Sequence, residues 1–455
     1  MATQSNHQSR SSAGLFILLF AGWFFCAPPP AAAQQFISDI ETDLLLHEVA
    51  APLITAAGLD VESFEFVLVN DPSANAFVVG GQTVYIHTGL FVTIESLAEL
   101  AGVLAHEMGH IAAGHYIRRE EELADIKRQV LLQAGAGVAA AVAGADPEVL
   151  AGSFASIQTT VMDRMSQASQ AAELAADHAG LRFMQSAGYS AKGIRDFFVR
   201  AVRERRGIPE PYWRTHPPSE RRLQVINEHI DNAPPPEDFS PELKHRFAMV
   251  QAKITGFATP ARFLQDAPPA QAHEQTYRYG RAVALWRKDQ NHEALDLLQG
   301  LAAEEPDNPY FAELIGQIYF ELSDFAQART AYEKALTQHR TAPAFLIPLA
   351  QIILAENQVS DEGFTPEALE PAIRYLNLAL RERENLLAHR LLARAYGQTG
   401  RDAQAMVHLG FEAYFLGAYE RAGNLANQAE AQLKPGTIAH LNALDLISLV
   451  ESAGG

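Results

Sequence analysis

The spacing of apolar and polar positions divides the chain into an N-terminal part with mixed periods and a C-terminal part with a helical period. The segment 64–69, Phe-Glu-Phe-Val-Leu-Val, is a short run of mostly apolar residues that predicts a strand. Segments 76–79 and 83–87 are extended on either side of Gly80-Gly81, which predicts a β-hairpin. From Glu95 to Tyr116 the period is that of a helix, and a second helix is predicted over residues 166–187.

The C-terminal part repeats its pattern every 34 residues. The repeat places Ala282 on Gly316 and Ala294 on Ala328, a spacing of small residues that is typical of tetratricopeptide repeats. Weaker copies follow after an insertion at residues 358–367. Such helix pairs cannot bury their apolar faces alone, so we expect an α-solenoid with a concave surface. An irregular helical bundle with coincidental alanine spacing is the alternative interpretation.

The N-terminus has the pattern of a secretory signal. A single charged residue, Arg10, precedes an apolar run over residues 13–27, and Ala31-Ala32-Ala33 offers small residues for cleavage. We expect a signal peptide over residues 1–33, with an uncleaved membrane anchor as the alternative. Because the only cysteine, Cys26, lies inside this segment, any metal in the mature chain must be held by histidine and carboxylate.

The net charge and the lengths of the apolar segments bear on the class of protein. The net charge of −19 disfavours a nucleic-acid binder, because neutralising phosphates requires a basic surface. No segment after the predicted signal has about 18 uninterrupted apolar residues, the length expected of a membrane-spanning helix.

The candidate chemistry is concentrated in His106-Glu-Met-Gly-His110, in the middle of the first predicted helix. Residues four apart share one helix face, so both imidazoles can reach one ion. Glu107 lies about 100° round the helix from His106, where it could activate a water on a zinc ion and protonate the leaving amine. The alternative is a solvated face that carries these residues by chance. The apolar flanks favour a metal site, since a buried His-Glu-His group needs partners to offset its desolvation.

A catalytic zinc needs a third protein ligand and an open position. The best donor in the sequence is Glu173, in the second predicted helix. Asp177 follows one turn later on the same face, where it could accept the second ring N–H of a ligating histidine and fix its orientation. The neighbouring residues are alanine and leucine, which favours close helix packing over a solvated acidic face. The sequence therefore predicts one zinc ion per chain, held by His106, His110 and Glu173.

Several motifs in a fixed order resemble those of the M48 peptidases, over about residues 40–230. They are Asn75-Ala-Phe77, Gly80-Gly81, His87-Thr-Gly-Leu90, His106-Glu-Met-Gly-His110, Glu173-Leu-Ala-Ala-Asp177, and Thr215-His-Pro217 with Arg222 after it. The resemblance implies a zincin-like domain with the same three zinc ligands, Glu107 as the general base and Asp177 behind a ligand. His178 departs from the pattern, where many relatives have arginine, but this leaves every proposed ligand in place.

Two more residues enter through the resemblance. The His-Pro histidine of the family corresponds to His216, which in relatives either stabilises the reacting carbonyl or occupies the open position of the zinc. The downstream arginine corresponds to Arg222, which is expected to help stabilise the oxyanion. The expected catalytic residues are therefore Glu107, His216 and Arg222. His115 falls on the opposite helix face and His87 is expected to end a strand, so neither should bind the metal.

The predicted fold is mainly α: a zincin-like domain with a small β-hairpin or sheet, followed by a solenoid of tetratricopeptide-like helix pairs. The predicted boundaries are 34–235 for the peptidase domain, 236–272 for a linker or connecting helix, 273–435 for the repeats and 436–455 for a tail. The Ala/Gly-rich segment 133–157 is expected to pack between helices, with a mobile lid as the alternative. The strand edge near residues 78–86 could pair with an extended substrate.

Together with the signal and the repeats, the resemblance implies a zinc endopeptidase of the bacterial periplasm. Its substrates would be misassembled or unfolded outer-membrane proteins. The repeats would bind clients or the envelope assembly machinery, with peripheral membrane contact and no nucleic acid. The competing hypothesis is a periplasmic chaperone or assembly scaffold with a plugged or structural zinc site. The two hypotheses differ in whether function requires Glu107.

Overall fold

The computed structural model describes residues 36–78, 81–114, 170–203, 216–217, 219–234, 236, 238–265, 274–359 and 365–453. The predicted signal peptide, His115 and the segment 133–157 lie outside these ranges. Within them, no helix combines the length and the apolar character that crossing a membrane requires.

A four-stranded sheet with strand order β1-β2-β4-β3 forms one layer of the N-terminal domain. Its strands are β1 (Phe36–Ile37), β2 (Glu65–Val69), β3 (Ala76–Val78) and β4 (Thr83–His87). β3 and β4 are antiparallel, with Ala76 opposite Ile86, as the hairpin prediction requires. β4 is parallel to β2, which leaves β3 as an edge strand of the sheet.

Six helices complete the described part of this domain: α1 (Ile40–Ala56), α2 (Thr88–Thr93), α3 (Leu97–Ala112), α4 (residues 170–186), α5 (Lys192–Arg203) and α6 (Glu220–Asn232). α3 begins after Ser96, whose side chain accepts a hydrogen bond from the backbone N–H of Glu99. The apolar residues of α3 lie at the centre of the core, between the sheet and α5. The motif His106–His110 is therefore carried on a buried, rigid element.

The helices α3 and α4 approach each other closely at two glycines. A Cβ on Gly109 would lie 2.4 Å from the carbonyl oxygen of Ala176, and a Cβ on Gly180 would lie 2.8 Å from that of Ala105. Any larger side chain would force the helices apart. This contact places Glu173 and Asp177 of α4 against the histidines of α3, as the alanine-rich context of α4 predicted.

The C-terminal part is a succession of helices, each packed on the next. They are α7 (Pro241–Ala258), α8 (Pro260–Gln265), α9 (Glu274–Trp286), α10 (Asn291–Glu304), α11 (Pro309–Glu321), α12 (Phe325–Leu336), α13 (Pro343–Val359), α14 (Glu370–Glu382), α15 (Leu386–Gln398), α16 (Asp402–Phe415), α17 (Tyr419–Glu430) and α18 (Ile438–Ala453). Ala282, Ala294 and Ala328, which the repeat alignment selects, are fully buried between helices. The predicted solenoid of helix pairs is confirmed.

Two segments outside the predicted peptidase and repeat domains contain helices. The stretch expected to be a linker or connecting helix contains α7, which packs on both α2 and α9 and so joins the two parts of the molecule. Residues 438–453, expected as a tail, form α18, which packs on α16 and α17 and buries Ala443 and Leu446.

Candidate metal centre

Four side chains converge on one point between α3, α4 and the residues before α6. One donor atom each from His106, His110, Glu173 and His216 lies within 4.8 Å of the other three. His106 Nε2 is 3.2 Å from His110 Nε2 and 3.2 Å from His216 Nδ1. The Glu173 carboxylate lies 3.3 Å from the Nε2 atoms of His106 and His110, and 3.2 Å from His216 Nδ1.

These distances fit the donors of one tetrahedral cation. With zinc bonds of about 2.0–2.1 Å, adjacent donors of a tetrahedron lie roughly 3.3–3.4 Å apart. Each neutral imidazole has only one N–H, so ring nitrogens this close to one another would bring lone pairs together unless protons or a cation lay between them. A divalent cation would satisfy all four donors at once. The donor set of three imidazoles and a carboxylate therefore fits a metal ion.

The protonation states favour metal binding at most of these donors. Burial raises the pKa of Glu173, but hydrogen bonds from His106, His110 and His216 outweigh burial and hold it well below its usual range. Burial lowers the pKa of His110 and of His216, which favours neutral rings. Burial also lowers the pKa of His106, but hydrogen bonds with Asp177 and Glu173 outweigh this and raise it to about 9. A metal would therefore compete with a proton at His106.

Glu107 lies beside the four donors and is 1% exposed. Its Oε1 is 3.5 Å from His216 Nε2 and accepts no hydrogen bond from the described part of the chain. Burial raises the pKa of Glu107 to about 7, against the opposing charges of His106 and His110. A carboxyl group that titrates near neutral pH can both accept and return a proton, as a general base must.

Behind the donors, two charged side chains form a clamp. Asp177 Oδ1 lies 2.9 Å from His106 Nδ1. Arg222 donates to Asp177 from Nε at 2.6 Å and from Nη2 at 2.9 Å, and its Nη1 is 2.8 Å from Glu173 Oε2. The same nitrogen donates to the carbonyl oxygen of Pro217 at 3.1 Å. Burial raises the pKa of Asp177, but the hydrogen bonds from Arg222 and His106 lower it to about 2.

Every residue predicted for the site thus lies in one cluster. His87, which was not expected to bind metal, lies elsewhere: its Nδ1 is 2.7 Å from Ser73 Oγ and 3.4 Å from Asp71 Oδ1. The contact between Arg222 and the Pro217 carbonyl was not foreseen. No pattern in the sequence indicates it, because it depends on how the chain turns before α6.

Comparison with known proteins agrees with this geometry. Residues 41–230 match the model of peptidase family M48. The chain carries an M48 peptidase domain. The beta-barrel assembly-enhancing protease of Yersinia pestis is 26% identical over 430 residues, which cover 92% of this chain and 85% of the relative.

Two further relatives show how far the likeness extends. The beta-barrel assembly-enhancing protease of Escherichia coli strain K12 is 25% identical over 412 residues, covering 88% of this chain and 81% of the relative. The mitochondrial metalloendopeptidase OMA1 of Schizosaccharomyces pombe is 26% identical over 194 residues, covering 42% of this chain and 54% of the relative. The bacterial likeness thus runs beyond the M48 domain into the repeats, and the chain is similar to metallopeptidases in its catalytic part.

Proposed function

We propose that the chain is a zinc-dependent endopeptidase of the bacterial periplasm that cleaves misassembled or unfolded outer-membrane proteins. The observation that carries the proposal is the convergence of His106, His110, Glu173 and His216 at tetrahedral distances beside the buried Glu107. The names of the bacterial relatives support the envelope and the class of client. The signal-like N-terminus supports export.

The residues of the site divide the chemistry between them. A bound zinc ion would polarise the peptide carbonyl and lower the pKa of a water molecule. Glu107 accepts the proton of the attacking water and delivers it to the leaving amine. Asp177 holds the Nδ1–H of His106, so the lone pair of Nε2 faces the other donors.

The contacts of Arg222 favour a role other than the expected stabilisation of the oxyanion. Its guanidinium contacts Asp177, Glu173 and the Pro217 carbonyl, and the residue is 3% exposed. We propose that it is a positioning residue, in place of an oxyanion-stabilising one. It fixes the two carboxylates and ties them to the backbone beside His216.

The position of His216 favours one of its two expected roles, that of occupying the open position of the zinc. Its Nδ1 lies at the fourth corner of the donor set, where a water or a substrate carbonyl would bind in an open site. We therefore propose that this is a closed resting state, and that cleavage requires His216 to leave the donor set.

The same closed geometry supports the second candidate function. Zinc sites with four protein ligands are typical of structural zinc. A scaffold whose repeats bind clients, with a permanently plugged site, would have this arrangement. In either case we propose that the concave surface of the repeats binds clients or partners, since stacked helix pairs form extended binding surfaces.

A Glu107→Gln variant tests the proposal. It should retain the wild-type metal content and lose cleavage of an unfolded β-barrel protein by about 10²–10⁴-fold, the contribution expected of a general base. Glu242→Gln, an exposed substitution on α7, is the matched control and should cleave like the wild type. Cleavage at the wild-type rate by Glu107→Gln would refute the peptidase mechanism. Full function of that variant in cells, without client turnover in the wild type, would establish the scaffold.

A further inference from the structure

A second group of ionisable side chains lies where the M48 domain meets the first repeats. It consists of Asp39 and Glu41 at the start of α1, Lys253 on α7, Tyr279 on α9 and Glu313 on α11, and is called the junction cluster below. None of its members belongs to the metal centre. The cluster joins four helices of the two parts of the molecule through side chains that are mostly buried.

Lys253 is at the centre of the junction cluster. Its Nζ donates to Asp39 and, at 3.2 Å, to Glu41 Oε2, and it lies 3.9 Å from Glu313 Oε2. Tyr279 donates from its hydroxyl to Glu41 Oε2 at 2.9 Å. The Lys253 side chain is 12% exposed and that of Glu313 is 18% exposed, so water screens these charges weakly.

The start of α1 contacts the repeats through its side chains, as a bound peptide ligand would. Asp39 caps α1, accepting a hydrogen bond from the backbone N–H of Thr42 at 3.2 Å. Ile40, between the two acidic residues, packs against the hydrophobic core of the repeats. Tyr279 and Glu313 lie on α9 and α11, the first helices of successive pairs. Glu41 is therefore held by Tyr279 of the repeats and by Lys253 of α7, and Ile40 packs on the core of the repeats.

The charges of the junction cluster do not balance. Asp39, Glu41 and Glu313 together offer three carboxylates to one ammonium group, so full ionisation would leave an excess of negative charge in a buried place. Buried carboxylates without a partner tend to take up a proton. Tyr310 on α11 and Tyr332 on α12 also face the cluster, and burial raises the pKa of both, so they stay neutral near pH 7 and add no compensating charge.

The pKa shifts agree with this geometry. Burial raises the pKa of Glu313 from 4.5 to about 7, although Lys253 opposes the shift. Burial also raises the pKa of Glu41. Burial lowers the pKa of Lys253, but the nearby acidic groups outweigh it and keep the amine charged. Glu313 is thus the group whose charge changes near neutral pH.

We propose that residues 39–41 are a built-in ligand of the repeats, and that this contact is tight while Glu313 is protonated and loosens when Glu313 ionises. Because the folded chain holds this proton more firmly than the unfolded chain, the stabilisation is full below the ordinary carboxyl range. It is lost progressively as pH rises toward the titration of Glu313. The inference stands apart from the peptidase activity, since no metal ligand takes part.

Hydrogen exchange of the full-length protein tests the proposal. Protection of the backbone amides in residues 40–46 and 309–321, corrected for intrinsic rates, should fall on the order of tenfold between about pH 6 and about pH 8. Glu313→Gln, which mimics the protonated side chain, should lose this step. Glu293→Gln, an exposed substitution on α10, should keep it. No step in the wild type, or the same step in Glu313→Gln, would overturn the proposal.

A second variant keeps the test decisive if Glu313→Gln folds poorly. Lys253→Met removes the only amine of the junction cluster, so the carboxylates repel one another. At about pH 8 its protection in residues 40–46 should fall below that of the wild type, and lowering the pH should restore part of it. Protection equal to the wild type at both pH values would show that the cluster does not hold the start of α1.

Discussion

The metal centre and the junction cluster are both buried groups of charged side chains, yet they stabilise their charges in different ways. At the metal centre, four donor atoms of His106, His110, Glu173 and His216 face one point, and Arg222 lies behind the carboxylate. At the junction, the centre is occupied by the ammonium group of Lys253. The donors of the metal centre fit a cation that would bind from solution, whereas the cation of the junction cluster is the side chain of Lys253.

A third group of side chains, around His389 and His408, shows what a metal site requires. His389 Nδ1 is 2.9 Å from His408 Nδ1, and Glu384 contacts the opposite nitrogen of His389 at 2.7 Å. Two histidines and a carboxylate are close together there, but their donors do not converge. Burial lowers the pKa of His408 to about 3, so that ring stays neutral. Convergence of donor atoms, and not residue type alone, distinguishes a metal site from an ordinary polar contact.

The largest expected effect on stability comes from removing the clamp. Arg222→Met leaves Asp177 and Glu173 buried without their cation, which should destabilise the metal-free protein by about 3–5 kcal/mol. Arg221→Met, at the exposed neighbouring position, should change stability by less than about 0.5 kcal/mol. Denaturant unfolding measures both. Equal unfolding midpoints for the two variants would show that Arg222 is not a structural clamp.

Substitution of Asp177 is expected to have a smaller effect, on zinc affinity. Asp177→Asn replaces the acceptor of the His106 Nδ1–H and weakens control over which ring nitrogen carries the proton. Zinc affinity should fall about 10–100-fold, as measured by competition with a chelator. Asp231→Asn, an exposed change on α6, provides the control. Unchanged affinity in Asp177→Asn would mean that the Asp177 contact does not orient His106.

His216 distinguishes a closed site from an open one. If its imidazole blocks the fourth position, His216→Ala should cleave an unfolded protein several-fold faster while still binding zinc through the other three ligands. His229→Ala, on α6, should behave like the wild type. A loss of cleavage in His216→Ala, with zinc retained, would instead assign His216 to stabilising the reacting carbonyl.

The pH profile tests the ionisation of Glu107. The general base must be ionised, so kcat/KM should fall as pH decreases through the pKa of Glu107. Burial raises this pKa to about 7, and the charge of a bound cation would lower it, so the midpoint should lie below about 7. Metal content measured at each pH separates this effect from loss of the ion. A rate that stays independent of pH from about 8 down to about 4.3, the ordinary pKa of glutamate, at constant metal content, would exclude Glu107 as the base.

Features that depend on residues close together in the sequence could be predicted, whereas contacts between residues far apart in the sequence could not. The helix that carries His106 and His110 and the 34-residue repeat are periodic signals, and the strands are short apolar runs beside a Gly-Gly turn; the structure contains the corresponding elements. The approach of α4 to α3 could be expected from its small residues. The junction cluster could not, because Lys253 and Asp39 are 214 residues apart and no period relates them. Arg222 was identified only through the family resemblance, and its contacts only through the structure.

The metal content of the purified full-length protein tests the central claim most directly. Elemental analysis should find about one zinc ion per chain in the wild type and in Glu220→Gln, a control at an exposed position on α6. Glu173→Gln should contain almost none, because the variant loses the carboxylate donor. Arg222 also loses its ion pair with Glu173. Full zinc occupancy in Glu173→Gln would contradict the claim that these side chains together bind one cation.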